Sequence, residues 1–117
     1  MLSQKNRISN QRLIEKLNSK GKTYKTTHFV FKFLPSISGD LKFAPVVSKK
    51  IATKAVKRNK LRRQITESIR LNMDTLDKPI VCIIIMKKGS PDKLEYKLID
   101  SQIIEFFNQH SADVKIY

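Results

Sequence analysis

The most concentrated chemistry of this sequence lies in the basic segment, Ser48 to Arg63, which contains eight lysines and arginines and no acid. Its basic residues are Lys49, Lys50, Lys54, Lys57, Arg58, Lys60, Arg62 and Arg63. Arginine presents a planar fork of N–H donors to a phosphate group, and lysine presents a mobile point charge. Because so much uncompensated charge repels itself, the segment predicts a surface that binds the phosphate backbone of a nucleic acid.

Two other interpretations of the basic segment are weaker. An ordinary solvated helix face mixes acids with bases, because Glu–Lys pairs one turn apart stabilise a helix. Here no acid occurs between Leu41 and Thr66. A helix that lies on a membrane surface inserts large apolar residues, which this face lacks. We therefore predict a nucleic acid as the partner and expect no membrane contact.

The helix that positions these charges is predicted from hydrophobic periodicity. Leu61, Ile65 and Ile69 repeat every four residues and form one apolar stripe. Lys54 and Arg58 continue the line of that stripe toward the N-terminus. The second half of the helix is therefore expected to pack on a core, while its first half turns charge toward the same side, like the wall of a groove.

Five further elements complete the predicted order α-β-β-α-β-α. They are a helix capped by Ser9 or Asn10 and ended by Gly21, strands over Thr27–Leu34, Leu41–Ser48 and Pro79–Lys87, and a helix within residues 92–110. The turn-rich Pro35–Asp40 predicts that the first two strands form a hairpin. Pro45 indicates an edge position or a bulge, and the apolar third strand is expected at the centre of the sheet.

Length and composition bound the remaining possibilities. A chain of 117 residues with 40% hydrophobic content predicts one domain over residues 1–117, with the basic residues 1–8 extended. The net charge of +14 is localised, since five of the ten acids lie after residue 90.

We expect no signal peptide, because no basic–apolar–small leader is present, and no membrane span, because the longest apolar run is Ile80–Met86. The single Cys82 excludes a disulfide framework and indicates a reducing compartment, so we expect a cytoplasmic protein.

Aromatic residues alternate along the first strand, at Phe29, Phe31 and Phe33. Such a face either stacks unpaired bases, as proteins that bind single strands do, or fills a core. The sequence leaves both interpretations open. Lys32 points to the opposite side of the strand and is therefore a candidate for RNA contact under either one. For the last helix we expect a buried side formed by Leu94, Leu98, Ile103 and Phe106 or Phe107.

We find no candidate catalytic residue and no candidate metal ligand. His28 and His110 lie far apart in the sequence and have no acidic neighbour, and Cys82 lies in an apolar strand, where cysteine acts as a small hydrophobe. Asp74 and Asp77 are interpreted as turn residues. The sequence has neither a glycine-rich phosphate loop nor a clustered metal-ligand spacing. We therefore expect any catalysis to belong to a partner.

The motifs in and around the basic segment resemble those of the bacterial ribonuclease P protein subunit. The matching elements are Ser48-Lys49-Lys50, then Ala55-Val56-Lys57-Arg58-Asn59-Lys60-Leu61-Arg62-Arg63, and then Glu67-Ser68-Ile69-Arg70. The family shows a Ser/Ala-Lys-Lys element at the end of a strand, a helix with the motif Arg-Asn-Arg-x-Lys-Arg, and an acid one turn further on. Three flanking elements are in register as well: Asn6-Arg7-Ile8, Lys20-Gly21 and Ile83–Lys88. The resemblance covers most of residues 5–110.

The resemblance implies an α+β fold, an α/β sandwich of order αβββαβα that is ribosomal-protein-like and has an uncommon left-handed βαβ crossover. It also implies a function. A large catalytic RNA with its magnesium ions hydrolyses precursor tRNA at the mature 5′ end. The protein holds the single-stranded 5′ leader in a cleft between the sheet and the motif helix and promotes productive magnesium binding. The implied partners are the catalytic RNA and precursor tRNA, with magnesium bound mainly by the RNA partner and substrate and no obligatory protein partner.

Site residues follow from the same resemblance. Arg58, Asn59 and Arg62 would face the RNA or the leader, and Lys60 and Arg63 would contact the catalytic RNA. The full set of candidate RNA-binding residues is Lys49, Lys50, Lys54, Lys57, Arg58, Asn59, Lys60, Arg62, Arg63 and Arg70. The candidates for the leader cleft are Ile14, Phe29, Phe31 and Lys32.

The chain departs from the family pattern at several positions. Lys60 stands in place of an Arg, Arg62 in place of a Lys, and Thr66 where an Arg is common. Ala44-Pro45 replaces a Val-Gly, and the first helix has only Leu13, Ile14 and Leu17 where the family usually offers Phe side chains to the leader cleft. Two hypotheses of other classes are a structural rRNA-binding protein of ribosomal type, with no role in cleavage, and a stand-alone nuclease, against which the lack of an acid cluster argues.

Overall fold

A computed structural model of the chain describes residues 2–76 and 78–116, with side chains in the last helix described as far as Gln109. The helices and strands are α1 (Gln11–Lys20), β1 (Lys22–Lys25), β2 (Phe29–Pro35), β3 (Lys42–Val46), α2 (Ala55–Asn72), β4 (Ile80–Met86) and α3 (Tyr96–Ile116). This order, αβββαβα, confirms the α+β fold that the resemblance implies. None of the described helices combines the length and the apolar character needed to cross a membrane.

The strands form one sheet in the order β1-β2-β4-β3. β4 is antiparallel to β2 and parallel to β3, so β3, α2 and β4 make the βαβ crossover unit. Every residue of β4 except Ile85 is buried, which confirms the central position predicted from its apolar sequence. β3 carries Pro45 and lies at the edge of the sheet, as predicted, where a missing N–H is tolerated.

The hairpin predicted between the first two predicted strands, which are β2 and β3 of the structure, is wrong. β4 lies between β2 and β3, because a strand that is apolar on both faces is stable only where helices and neighbouring strands cover it on all sides. β2 instead forms a hairpin with β1, pairing Tyr24 with Phe31. The sequence missed β1 because lysines occupy two of its four positions, Lys22 and Lys25.

The main core lies between the sheet and the pair α2 and α3. Its largest fully buried side chains include Phe29, Phe31, Phe43, Leu61, Ile65, Ile69, Ile103, Phe106 and Phe107. The predicted stripe of α2 is thereby confirmed. The predicted buried side of the last helix is wrong at Leu98, which is 46% exposed, while Ile99 is fully buried. Ile99 and Ile103 are one turn apart, so they share the buried stripe of α3.

A smaller cluster forms on the other face of the sheet under α1, where Leu17 packs with Val81 and Ile83. The predicted caps of α1 are confirmed. The side chain of Asn10 accepts a hydrogen bond of 2.9 Å from the backbone N–H of Arg12, and Gly21 N–H donates to the carbonyl of Leu17 at 3.0 Å. α1 therefore begins and ends where the sequence places it, on one half of that face.

The N-terminal segment is not extended throughout, which corrects the prediction for residues 1–8. Gln4–Asn6 form a 3-10 helical turn. This turn brings Asn6 into a buried position, where its side-chain amide donates to the carbonyl of Leu41 at 2.7 Å. Beyond the turn, the Ile8 N–H donates to the carbonyl of Phe43 at 3.1 Å. The segment is thereby attached along the free edge of β3.

Two polar clusters, one half-buried around Asp100 and one largely buried around Gln102, fix α3 against the rest of the fold. Asp100 accepts hydrogen bonds from Ser68 at 2.7 Å and from Asn72 at 2.9 Å, which joins α3 to α2. Gln102 accepts from the Thr26 hydroxyl at 2.8 Å and from the His28 backbone N–H at 2.7 Å, which joins α3 to the turn between β1 and β2.

Candidate RNA interface

The first half of α2 presents the basic segment to solvent. Lys54, Lys57, Asn59, Lys60 and Arg63 are exposed, and Arg58 and Arg62 are half-buried. In the turn before the helix, Lys49 and Lys50 are exposed as well, because Ile51 and Ala52 turn inward and are buried. The candidate RNA-binding residues from Lys49 to Arg63 therefore lie together at the end of the molecule where β3 passes into α2, whereas Arg70 lies in the last turn of α2, away from them.

Arg58 shapes this surface through its own backbone contacts. Its Nη1 donates to the carbonyl of Ala52 at 3.0 Å and to that of Thr53 at 2.9 Å. Lys54, the residue before the helix, makes no side-chain cap. Arg58 thus fixes the basic turn against the start of α2, in addition to any contact that it makes with RNA.

Asn59 and Arg62 act as a pair on the neighbouring side of the helix. The Nη2 of Arg62 donates to the Oδ1 of Asn59, three residues away. This contact restricts the guanidinium group. It also occupies the amide oxygen of Asn59, so that Asn59 acts toward a ligand mainly as a donor.

Acids neutralise two of the candidate residues. Lys57 forms an ion pair of 2.7 Å with Asp92, and the resulting hydrogen bond lowers the pKa of Asp92. Arg70 donates to both carboxylate oxygens of Glu67, which lowers the pKa of Glu67. Within the described part of the chain, the other candidates have no acid within ion-pair distance. Most of the positive charge of the basic segment is therefore available to a partner.

A groove of about 820 Å³ lies between α2, β3 and the N-terminal segment, and we call it the α2 groove. It is lined by Leu2, Arg7, Phe43, Pro45, Val56, Asn59, Arg62, Arg63, Thr66 and Glu67. The structure thus brings Asn59, Arg62 and Arg63 to one side of the helix. Lys60 and Arg58, which belong to the same motif, lie outside the lining.

The second candidate surface is the half of the sheet that α1 leaves partly uncovered. Val30, Lys32 and Ile85 are half-buried there, and Val46 is 36% exposed. These four residues form what we call the open sheet face. Val30 and Val46 are the cross-strand neighbours of Ile85, so the three apolar side chains form a row across three strands. The row ends two residues before Ser48 and therefore borders the basic segment.

The four candidates for the leader cleft are divided between the two faces of the sheet. Ile14 packs on the cluster beneath α1 and borders the open sheet face, while Lys32, a member of that face, donates from Nζ to the Asn18 carbonyl of α1 at 3.1 Å. Phe29 and Phe31 are wrong as contacts for a leader, because both are fully buried in the main core on the opposite face. The Phe31 ring stacks on that of Phe106 with centroids 4.3 Å apart.

The core interpretation of the aromatic strand is therefore confirmed, and the orientation of Lys32 is confirmed with it. Sequence reasoning missed Val30, Val46 and Ile85 as members of a surface. The signal for Val30 was present, since it alternates with Phe29 and Phe31 and so shares the face of Lys32. The exposure of Val46 and Ile85 depends on how far α1 reaches, which no local pattern indicates.

Groups with acid–base or nucleophilic chemistry are scattered or buried. Burial of Cys82 raises the pKa of its thiol well above the ordinary value, and Asp74 lies in a 3-10 helical turn over Met73–Thr75. Asp77 and the side chain of His110 lie outside the described residues. Across residues 2–76 and 78–109, no group of three or more His, Cys, Asp or Glu side chains is arranged to bind a metal ion.

The fold and this surface define the class: a small α+β protein with one exposed, strongly cationic helix beside a half-covered sheet. The protein-family model described as Ribonuclease P matches residues 2–111. The ribonuclease P protein component of Finegoldia magna is 33% identical over 98 residues, which cover 84% of each chain. That of Rickettsia bellii is 32% identical over 113 residues, which cover 86% of this chain and 93% of the relative. The chain belongs to the ribonuclease P protein family.

Solved structures of the same family show the same fold. The RNase P protein from Thermotoga maritima superposes with a TM-score of 0.78 at 22% identity and covers 88% of this chain and 96% of its own. The Staphylococcus aureus RNase P protein gives a TM-score of 0.76 at 20% identity and covers 91% and 94%.

Proposed function

We propose that this chain is the RNA-binding protein subunit of ribonuclease P and acts in tRNA processing in the cytoplasm. In this proposal it binds a catalytic RNA and precursor tRNA, and the RNA hydrolyses the phosphodiester bond that releases the 5′ leader. The observation that best supports this proposal is the exposed cationic surface of α2, whose basic residues match the motif of the family. Among these residues, described acids neutralise only Lys57 and Arg70. Each lysine or arginine that contacts a phosphate releases counterions, so such a surface supports binding to RNA.

The open sheet face is the surface that we propose for the leader. An unpaired strand needs a platform for its bases and cations along its backbone. Val30, Ile85 and Val46 provide an apolar platform, while Lys32 and the basic segment lie at its borders. The three apolar side chains offer no hydrogen-bond donor or acceptor to a base edge, so we expect binding of the leader with little preference for particular bases.

Magnesium enters this proposal through the RNA. The described side chains provide no cluster of three metal ligands, so we propose that the ions are bound by phosphates of the RNA partner and substrate. The protein contributes by position and charge. By binding the leader and the catalytic RNA with adjacent surfaces, it brings their phosphates together and neutralises part of their repulsion, which promotes productive binding of the ions.

The leader assignment is tested by comparing two substrates. The complex of the protein with its catalytic RNA is titrated with precursor tRNA and with the same tRNA lacking the leader. We expect the protein to raise affinity for the precursor by about tenfold and to leave affinity for the leaderless tRNA unchanged. An equal gain for both substrates would place the leader elsewhere and would favour a general RNA-binding role of ribosomal type.

A matched pair of variants locates the effect. Val46→Asp adds a negative charge to the open sheet face, and Leu98→Asp adds the same charge at a comparably exposed site on α3. We expect Val46→Asp to abolish the gain that depends on the leader and Leu98→Asp to preserve it. Equal losses in the two variants would show a general electrostatic effect and would refute the assignment.

A further inference from the structure

The α2 groove is spatially separate from the open sheet face. Side chains alternate along β3, so Phe43 and Pro45 point into the groove while Ala44 and Val46 point to the face that carries α1. One strand therefore serves two surfaces on opposite sides of the sheet. An RNA segment on the open sheet face leaves the α2 groove free for a different segment.

We propose that the α2 groove binds a single unpaired nucleotide of the catalytic RNA. The base packs on the apolar floor of the groove, and the flanking phosphates contact its arginines. This inference rests on the proposed function, because it assigns a site to the RNA partner named there. It adds a pocket for one nucleotide to a surface that otherwise binds the phosphate backbone.

The apolar floor is the feature that phosphate binding does not explain. Val56 is 76% exposed although it lies between cations in the first turn of α2, and a phosphate backbone gains nothing from an isopropyl group there. Pro45 is half-buried and lines the same groove. A nucleobase needs such an apolar surface, since unpaired bases pack on apolar side chains and on guanidinium planes.

The charge of the groove matches the phosphates beside such a base. Arg7, Arg62 and Arg63 line it, and its single acid, Glu67, is already bound by Arg70. Local contacts restrict two of the three arginines. The side chain of Arg62 donates to Asn59, and the backbone of Arg7 is attached to β3 through its bridge with Phe43. The cations of the groove are therefore brought together before an anion binds, which lowers the cost of binding it.

Polar groups for the edge of the base are present as well. The Asn59 amide supplies N–H donors, and the Thr66 hydroxyl both donates and accepts. The Thr66 side chain is short and leaves space in the groove. The volume of the groove, about 820 Å³, lies within the range of about 300–1,000 Å³ typical of small-ligand sites. A paired nucleotide does not enter such a concavity, because an RNA duplex presents its minor groove and backbone as a convex surface.

The first test uses the full-length protein and its catalytic RNA, with affinity measured across a range of salt concentrations. Thr66→Phe fills the groove, and Val56→Ala shortens its floor. We expect each to weaken binding by about tenfold. Val56→Ala leaves the salt dependence unchanged because no phosphate contact is lost, whereas Thr66→Phe lowers the salt slope because the flanking phosphates leave the arginines together with the excluded base. Leu71→Ala, a change at a 58% exposed apolar residue of the same helix outside the groove, is expected to bind like the wild type.

The second test identifies the nucleotide. The base edges of the catalytic RNA are probed chemically with dimethyl sulfate and a carbodiimide. We expect wild-type protein to protect one unpaired base that stays reactive with Thr66→Phe. Removing that base from the RNA is expected to weaken wild-type binding about tenfold and to have no further effect on Thr66→Phe.

Three results would overturn the inference. If Thr66→Phe and Val56→Ala both bind the catalytic RNA with wild-type affinity and protect the same base as the wild type, the groove is empty in the complex. Loss of affinity for precursor tRNA alone would identify the leader as the occupant. A wild-type protein that fails to bind the catalytic RNA would refute the proposed function and this inference together, whereas the first two results leave the proposed function intact.

Discussion

Replacing Phe31 by alanine removes the ring at the centre of the aromatic cluster in the main core. Phe31 is fully buried, and its ring stacks on that of Phe106 with centroids 4.3 Å apart and planes inclined by 9°. It also lies 6.3 Å from the ring of Tyr24 and 6.2 Å from that of Phe29. The change therefore tests whether the aromatic strand stabilises the fold or binds bases.

The size of the expected effect follows from this environment. Truncating a buried phenylalanine to alanine costs about 3–5 kcal/mol, and the stacked pair adds about 0.5–1.5 kcal/mol beyond burial to what the ring contributes. We expect the free energy of unfolding to fall by about 4 kcal/mol. With a denaturant slope of about 2 kcal/mol per molar urea, the midpoint shifts by about 2 M. Phe31→Leu keeps most of the volume, and we expect a cost of about 1 kcal/mol.

The assay combines urea unfolding, followed by circular dichroism, with affinity for precursor tRNA measured on folded protein. Val30→Ala is the matched control, because Val30 is the neighbour of Phe31 on the opposite face. We expect Val30→Ala to lose affinity for the leader with a small cost in stability, and Phe31→Leu to show the reverse. Unchanged stability of Phe31→Ala, together with a selective loss of leader affinity, would refute the core assignment.

Three further substitutions test the interface and its support. Asp92→Asn frees Lys57, and we expect affinity for the catalytic RNA to rise about two- to fivefold with a steeper salt dependence; unchanged titrations would show that Lys57 lies off the RNA. Arg58→Ala is expected to weaken RNA binding and lower the salt slope by about 0.7–0.9, and an unaltered slope would limit Arg58 to its backbone contacts. Asp100→Ala leaves two donors of α2 without their acceptor, and we expect urea unfolding to show a loss of about 1–3 kcal/mol, whereas wild-type stability would mean that water replaces the carboxylate.

Local patterns were sufficient to predict much of the fold. The stripe of Leu61, Ile65 and Ile69 fixes the buried side of α2, because helical periodicity alone determines which residues share a face. The apolar run of β4 indicates a central strand for a similar reason. The pairing of β3 is different, since strand order depends on contacts between distant segments, and Pro35–Asp40 has the composition of a hairpin turn without forming one.

The candidate site likewise contains some residues whose positions follow from local sequence patterns and others whose positions do not. The positions of Asn59, Arg62 and Arg63 on one side of α2 follow from helical spacing, and the same spacing separates them from Lys60. The contact of Arg58 with the preceding turn depends on how that turn folds, which its sequence does not indicate. Alternation along β2 separates Phe31 from Lys32, but only the packing of α2 and α3 determines which of the two faces becomes the core.

Reconstitution shows whether the protein acts as a subunit of ribonuclease P. Precursor tRNA is incubated at low magnesium concentration with the protein alone, with the catalytic RNA alone, and with both. We expect no cleavage by the protein, little cleavage by the RNA, and efficient release of the 5′ leader by the two together, reduced when Arg62 and Arg63 are both changed to glutamine. Cleavage by the catalytic RNA that is no faster with the protein than without it would refute the proposed function.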